Sequence, residues 1–599
     1  MGIMIRMLVP STLNSSAVPA RLGRLSATEQ RIWRAFPRGE LVDLRTGDTD
    51  VDDPASVELW GEERSVRGEM IAALLLGVAP AASGAVGAVR IAGARITGEL
   101  CVDHGQVAAP LLLQGCCFDG RVDLDEAVTG SIDLSGSRLT TLSAYGAQVR
   151  GTLDLRDVVV RGTPALAVHA DGITVDGTLR ADGIDVTGPF GLINAVIGGQ
   201  ATFKAAKLNS ASPKGKSLDA GGMRVGRSLL AQKLVAVGEV RLPGAHIGSA
   251  LQFDGASLTC GGEGSALQAE GITVASSALF REFSEQDEQD EQGKPKVKTA
   301  FTATGTVRLV GARIGGGLYF DGAKLTPVQP QPASDGTTPR ERPVLAASRM
   351  VVEGSLYFGR RFSTTGEIRL TGTRITGHLD LQEMNSPDAL LTLYAVTAVG
   401  GVRDDLASWP GRLNLDGFSY SSFSHYLEAP KRLRLLERQV KHGAPTTVGG
   451  FRAQPYEQLA AYYRGLGNDG EARTVLLAKQ RALRHQLPWW QRVPGHLLDL
   501  LVGYGYRPLR AIGWAVGLLA AASVYFSRVQ PQHVSTEDHS AFNPVLFAAD
   551  HLIPVIRFGQ PEVWQYHGAA AVVTVVLTVL GWTLGIAIAA AATRTLTRS

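Results

Sequence analysis

At 599 residues the chain exceeds what a single hydrophobic core can serve, so it must divide into several units. Glycine supplies 70 residues, charged residues 19% and aromatics only 7%, which excludes a disordered polyelectrolyte and suits a solenoid of tight turns and small stacked side chains. A net charge of +3 gives no electrostatic case for a nucleic-acid partner.

The chain opens irregularly over residues 1–26, and residues 1–10 lack the long apolar core of a signal peptide, so the N-terminal part is expected to stay in the cytoplasm. Ser26-Ala-Thr-Glu29 has capping-box spacing and predicts a helix through Ile32, Trp33 and Phe36. A second helix is predicted over 65–76, with Val66, Met70, Ala73 and Leu74 on one side. Together they make an N-terminal cap over 1–83, as an open solenoid end requires.

A repeat domain is expected over 84–422. The segments GAVRIAGARITGEL (87–100), GEVRLPGAHIGSAL (238–251), GTVRLVGARIGGGL (305–318) and GEIRLTGTRITGHL (366–379) are self-similar, and weaker versions begin at Gly130, Gly151 and Gly177. Each reads as a short strand, a glycine-assisted corner and another short strand, which winds into a parallel β-helix. Gly93, Gly244, Gly311 and Gly372 mark the corners. The last copies lie about 60 residues apart, which suggests three coils of roughly 20, and about 15 coils in all at a 4.8 Å rise. Arg90, Arg241, Arg308 and Arg369 should point outward, as a solvated row or as a basic stripe for an anionic ligand. Polar and proline-rich stretches at 209–217, 282–299 and 327–343 read as loops extruded from the rod.

Few residues suggest chemistry. Cys101, Cys116, Cys117 and Cys260 form no C-x-x-C and read as free, buried thiols of a reducing compartment. Asp123, Asp125, Asp133 and Asp154 could be paired acids for sugar cleavage, but on regular corners they read as turn and surface groups. Dinucleotide, haem, serine-hydrolase, zinc-protease and P-loop motifs are missing, so no catalytic, cofactor-binding or metal residue is assigned.

Helices take over in a juxtamembrane region, 423–507. One is predicted over 430–441 through Leu433, Leu436 and Val440, and a hairpin over 455–466 and 469–487, where Tyr456, Leu459, Tyr463 and Ala472 suggest a helix pair like one tetratricopeptide unit. Residues 425–510 hold 14 Lys and Arg against six Asp and Glu, a cationic collar suited to anionic lipid. Trp489, Trp490, Tyr504, Arg507, Arg510 and Arg594 are the expected membrane-interface residues.

The last unit, 508–599, has uncharged apolar runs at 511–527 and 568–593, of which the second is long enough to cross a bilayer and the first just reaches. The intervening loop carries one arginine, Arg557, against four acids, and positive-inside bias then puts both chain termini in the cytoplasm and the loop outside. Pro544 can open a short helix there, and Asp550, Pro554, Arg557, Gly559 and Trp564 complete the candidate outer-loop set. Span, short helix, extended turn and span is also the layout of a cation-channel pore, although the T-V-G-Y-G filter is missing and Arg557 would repel cations.

The segments RAQPYEQLAAYYRGLGNDGEARTVLLAKQRALRHQLPWW, LLVGYGYRPLRA and FNPVLFAADHLIPVIRFGQPEVW, then a span containing LGW, resemble a family of actinobacterial membrane proteins with a β-helical cytoplasmic part. Such proteins carry the generic labels membrane-associated oxidoreductase or pentapeptide-repeat protein. The resemblance implies a mainly β fold: a parallel β-helix solenoid with an N-terminal helical cap, a C-terminal helical hairpin and two transmembrane helices. The expected function is a scaffold or sensor anchored in the plasma membrane, with a channel-like or transport-coupled protein and a redox or carbohydrate enzyme as alternatives. Expected partners are the bilayer, docked proteins and further copies of the chain.

Overall fold

In a computed structural model, residues 18–599 are described except 108, 164, 166, 211, 213, 262–263, 285–297, 329–341, 440–450, 487, 491, 493–495, 497–498, 500–508, 530, 534–540, 554–555 and 597–599. The chain folds as two compact units, 1–426 with 438–440, and 427–437 with 441–599.

The first unit is a four-sided parallel β-solenoid. Alternation sets its cross-section. From Val122 to Val149 the buried positions follow steps of two and three residues, giving five residues per side. Farther on, at Leu179, Ala181, Ile184, Val186, Phe190 and Leu192, a step of four enters and some sides lengthen to six residues. Successive coils stack in register, as with Leu153 on Leu179 and Val160 on Val186. The four faces, visited in the order A, B, C, D, contain 14, 12, 13 and 13 strands. The rod therefore has about 13 turns, fewer than the repeat spacing suggested, and is about 60 Å long.

The shortfall has a specific cause. Between Thr306–Arg308 and Glu367–Arg369 on face C there is one intervening strand, Leu345–Ala346, so two coils occupy this interval. One of them carries the 327–343 insertion. The four similar segments are also not equivalent in space. Val89–Ala92 lies on face A, whereas Glu239–Arg241, Thr306–Arg308 and Glu367–Arg369 lie on face C. A strand–corner–strand unit fits any two adjoining sides, so sequence similarity alone does not fix the face.

The three expected excursions fall between faces, and residues 211, 213, 285–297 and 329–341 of them lie outside the described residues. Residues 209–217 and 327–343 join face B to face C, and 282–299 joins face A to face B through a neck closed by the antiparallel bridge of Phe283 with Thr299. Gly93, Gly244, Gly311 and Gly372 have φ of 65–68°, as their corner role requires.

A second glycine series meets a steric limit. A Cβ on Gly248 would lie 2.3 Å from the Gly226 carbonyl oxygen, and one on Gly226 would lie 2.2 Å from that of Gly198. The coils touch backbone to backbone at this corner. Gly248→Ala should therefore destabilise the solenoid by about 1–3 kcal/mol, read as a lower denaturation midpoint in urea.

Aromatic stacking fills the C-terminal half of the rod. Phe253, Phe280, Phe320 and Phe358 take the same place in four successive coils, with ring centroids 5.1–5.6 Å apart and planes within 14°. Phe301 and Phe362 pack edge-on against this column, and all six are wholly buried.

The cap differs slightly from expectation. Helix α1 (Ala27–Ala35) has the reciprocal capping box, Ser26 with Glu29. The second segment is a strand, Ser65–Arg67, followed by α2 (Gly68–Leu75), because Ser65–Arg67 pairs with Arg95–Thr97 and opens face B. Val42–Asp43 likewise opens face A, so the solenoid begins inside the region assigned to the cap. Met70, Ile71, Ala73 and Leu74 are fully buried. Burial alone would raise the Glu29 carboxyl, but hydrogen bonds from Arg67 and the Ser26 backbone outweigh it and hold the group below its ordinary value.

The second unit is helical: α3 (Ala429–Glu437), α4 (Gln454–Gly465), α5 (Asp469–Gln486), α6 (Leu509–Arg528), α7 (Pro544–Leu552), α8 (Gln560–Val563) and α9 (Ala569–Leu596). The predicted hairpin is α4 packed on α5, with Leu459, Tyr463 and Ala472 buried. In α3, Leu435 and Leu436 are buried while Leu433 is half-buried, and Val440 lies outside the described residues.

Candidate functional site

On the solenoid, the repeated arginines do not make one stripe. Arg90 is exposed on face A. On face C, Arg241 pairs with Glu239 at 3.2 Å and Asp219 at 3.4 Å, Arg308 pairs with Glu270, and Arg369 pairs with Glu367 at 2.5 Å. Charges paired in this way, along a strand or between adjacent coils, leave little field for a ligand.

The four aspartates divide between faces. Asp123 and Asp125 belong to face C, and Asp133 and Asp154 to face A. Asp125 accepts from the Ser143 hydroxyl at 2.6 Å and the Tyr145 N–H at 2.8 Å, and Asp123 pairs with Arg121 at 2.9 Å. Asp133 accepts from Gln114 at 2.7 Å, and Asp154 bridges Arg156 at 2.8 Å and Arg180 at 3.6 Å. Each carboxylate is tied into a corner or a coil-to-coil bond.

Cys116, Cys117 and Cys260 are buried free thiols, and Cys101 is partly exposed. Burial pushes the Cys116 thiol up to about 12, and burial followed by the Asp103 carboxylate raises that of Cys101. A thiol held up in this way is mostly protonated at neutral pH, and where it is also partly exposed it reacts only slowly. At pH 7.5 the native chain should take up one maleimide, slowly and at Cys101, and all four thiols should react after denaturation, as read by intact mass.

A cleft of about 690 Å³ opens on face A beside the neck of the 282–299 excursion. It sets Arg281, Arg360 and Arg361 against Asp254, Asp321 and Glu383, so its lining is balanced in sign. Burial raises the Asp321 carboxyl. Among the described residues no group of three or more metal-ligating side chains comes together.

The C-terminal unit concentrates more of its structure in one place. Asn543 caps α7, its side-chain oxygen accepting from the Val545 and Leu546 N–H groups at 3.0 and 3.3 Å, and Pro544 occupies the first turn. Helix α7 packs against both α6 and α9. Phe526, Phe547, Ala548, Leu552, Tyr566, Ala570 and Leu577 form the core of this contact.

Gly581 fixes how deeply α7 enters. A Cβ there would lie 2.3 Å from the Leu552 carbonyl oxygen, so the end of α7 rests directly on the α9 backbone. Gly581 lies twelve residues beyond Ala569, about 18 Å along the axis. The short helix therefore descends beside the middle of α9. The chain then returns: Asp550 accepts from the N–H groups of Phe558 and, at 3.0 Å, Gln560, while the Gln560 side chain accepts from the Asn543 N–H at 3.1 Å. Gly559 turns with φ of 81° before α8. Gln532–His533 and Trp564–Gln565 pair as an antiparallel ribbon, and the Tyr566 hydroxyl donates to the Phe526 and Val529 carbonyls.

Of the outer-loop residues read from the sequence, Pro544, Asp550, Gly559 and Trp564 are thus brought together by α7 and its return segment. Arg557 is exposed on that segment, and Pro554 lies outside the described residues. Of the interface residues, Trp489 and Trp490 are 74% and 59% exposed and touch edge to face, and Arg510 is exposed at the start of α6. Tyr504, Arg507 and the side chain of Arg594 lie outside the described residues. Part of the cationic collar is internally paired: Arg481, then Arg484, hold the Asp499 carboxyl below its ordinary value. Sequence reading missed Asn543, Tyr566 and Gly581. The Asn-Pro pair ahead of an apolar run is a helix-start signal that was available, and a glycine inside an apolar helix can mark a close approach.

No protein-family model, curated protein or solved structure matches this chain.

Proposed function

We propose that the chain is a membrane-anchored scaffold or sensor. In this reading α6 and α9 cross the plasma membrane with α7 re-entering between them, both termini face the cytoplasm, and the solenoid offers its faces to protein partners. One observation carries the reading. The two apolar windows, in α6 and α9, are only 17% and 22% buried within the structure. Ile512, Trp514, Val516 and Val524 on α6, and Val572, Val575, Val576, Val579 and Trp582 on α9, are exposed. Apolar surface of this extent is stable against lipid and unstable against water. The resemblance of residues 452–582 to β-helical membrane proteins of actinobacteria, some labelled pentapeptide-repeat proteins, agrees with it.

Protease treatment of intact cells and of inverted vesicles tests the topology. Trypsin should cut the solenoid only in inverted vesicles, and digestion of the repeats from outside ends this model.

A second reading, a channel-like assembly of several copies, draws on the depth of α7. A half-length helix whose C-terminal carbonyls end beside Gly581 directs its negative pole toward the middle of the span, where it favours a cation. Purified chain in liposomes should then conduct cations, and Arg557→Gln should raise the flux. Cation flux no greater than in protein-free liposomes, for both forms, rejects it.

A further inference from the structure

The basic stripe absent from face C exists on face D. Between 196 and 400, the strands of face D and the two residues after each contain four arginines, Arg224, Arg227, Arg313 and Arg374, with His246 and a single carboxylate, Glu353. All six are exposed. Glu353 accepts from the Thr376 hydroxyl at 3.0 Å, and none of the four guanidinium groups has an ion-pair partner among the described residues. Elsewhere on the rod Arg95, Arg156, Arg161, Arg281, Arg308 and Arg369 are each matched by a carboxylate, while Arg90, Arg138 and Arg403 are unmatched among the described residues but fall on different faces.

The surroundings of these arginines are unusually bare. Gly198, Gly226, Gly248 and Gly315 follow the strands directly, and at each a Cβ would meet a carbonyl of the neighbouring coil at 2.2–2.4 Å. The guanidinium groups therefore stand proud of a low strip of backbone. Strand order places Arg224 and Arg313 three coils apart and Arg313 and Arg374 two, or about 14 and 10 Å.

We propose that face D is a docking surface for anionic lipid headgroups. This rests on the membrane-anchored reading above. Three features favour lipid over a macromolecule. Over this stretch the face has no aromatic residue to anchor a protein hot spot. The unequal spacing fits no polymer of evenly repeated charge, whereas lipids diffuse laterally to meet any spacing. The chain also carries its own apolar helices, which would hold the solenoid at high effective concentration near the bilayer surface.

The test uses the full chain in a Cys101→Ser background, reconstituted in nanodiscs of phosphatidylcholine alone or with 30% phosphatidylglycerol. Single cysteines are placed at Val196 on face D and at Val235 on face B, which are 40% and 42% exposed. Maleimide labelling of Val196→Cys should slow roughly tenfold with the anionic lipid, while Val235→Cys labels equally in both. Combining Arg224→Ala, Arg313→Ala and Arg374→Ala should restore the faster rate. Equal labelling of Val196→Cys in both lipids, or protection that survives the triple substitution, overturns the assignment. Protection that occurs in cell-derived membranes and not in nanodiscs also overturns it, in favour of a macromolecular partner. Failure of the chain to co-elute with nanodiscs at all overturns the anchored reading itself, which separates the two outcomes.

Discussion

Gly581→Leu should unseat the short helix α7 from α9 and lower the stability of the detergent-solubilised C-terminal unit by about 3 kcal/mol. The physical basis is space. The smallest possible side chain at 581 would already overlap the Leu552 carbonyl oxygen at 2.3 Å, and that neighbour is backbone, which cannot rotate away. A leucine must therefore push α7 outward, breaking the packing of Leu552 and Phe547 against Leu577 and Phe526. The Asp550 bonds to the return segment would go with it. Thermal unfolding followed by tryptophan fluorescence measures the loss, since Trp564 packs on Phe542 at one edge of this core. Trypsin cleavage after Arg557 should accelerate in parallel. A variant with the parent midpoint and the parent cleavage rate would mean that α7 does not rest on α9 as described.

Phe280→Ala should cost about 3–5 kcal/mol, and the damage should stay local. Phe280 touches three rings, stacking on Phe253 and Phe320 and taking Phe301 edge-on. Its removal leaves a cavity that the flanking coils cannot close, because their backbones are fixed by the parallel ladders on all four faces. A solenoid is stabilised mainly by neighbour-to-neighbour contacts, so the effect should decay along the rod. Hydrogen exchange should speed up across residues 251–362 and remain as in the parent across 122–160. Uniform loss of protection along the whole rod would show that the coils unfold as one cooperative body.

These two substitutions probe the two kinds of packing that the chain uses. The rod is held by ladders of like residues at a constant rise, so each residue is supported by the residue one coil above and below. The helical unit has no such repetition. There, one glycine, one asparagine cap and one carboxylate set the position of a nine-residue helix. A single side chain carries more of the geometry there than in the rod.

The division between what could be read and what had to be seen follows from this. Local signals were legible: the capping box at Ser26, the corner glycines, the α4–α5 hairpin, and the apolar lengths of α6 and α9 all lie within contiguous stretches. Their outcome depends on hydrogen bonds and turns a few residues apart, which sequence order preserves. The repeat also announced the parallel β-helix. What it could not supply was phase. The segment at 87–100 and that at 238–251 share a pattern yet sit on opposite faces, because four near-equal sides accept the same strand–corner unit.

Coil number and charge pairing were decided in three dimensions for the same reason. Insertions at the corners change the residues per turn without changing the rise, so a distance along the chain does not convert to a number of coils. Whether an arginine is free depends on the carboxylate one coil away, which lies some 20–40 residues distant in sequence. Arg308 is neutralised by Glu270, while Arg313, five residues on and one face around, has no ion-pair partner among the described residues. The sequence by itself determined a glycine-cornered β-helix, an end cap, and two apolar helices separated by a loop with a helix-start signal. The tertiary structure alone decided which face each repeat occupies, which charges are left unopposed, and how far the short helix descends. Those properties depend on backbones meeting across coils and helices, and no local pattern encodes that distance.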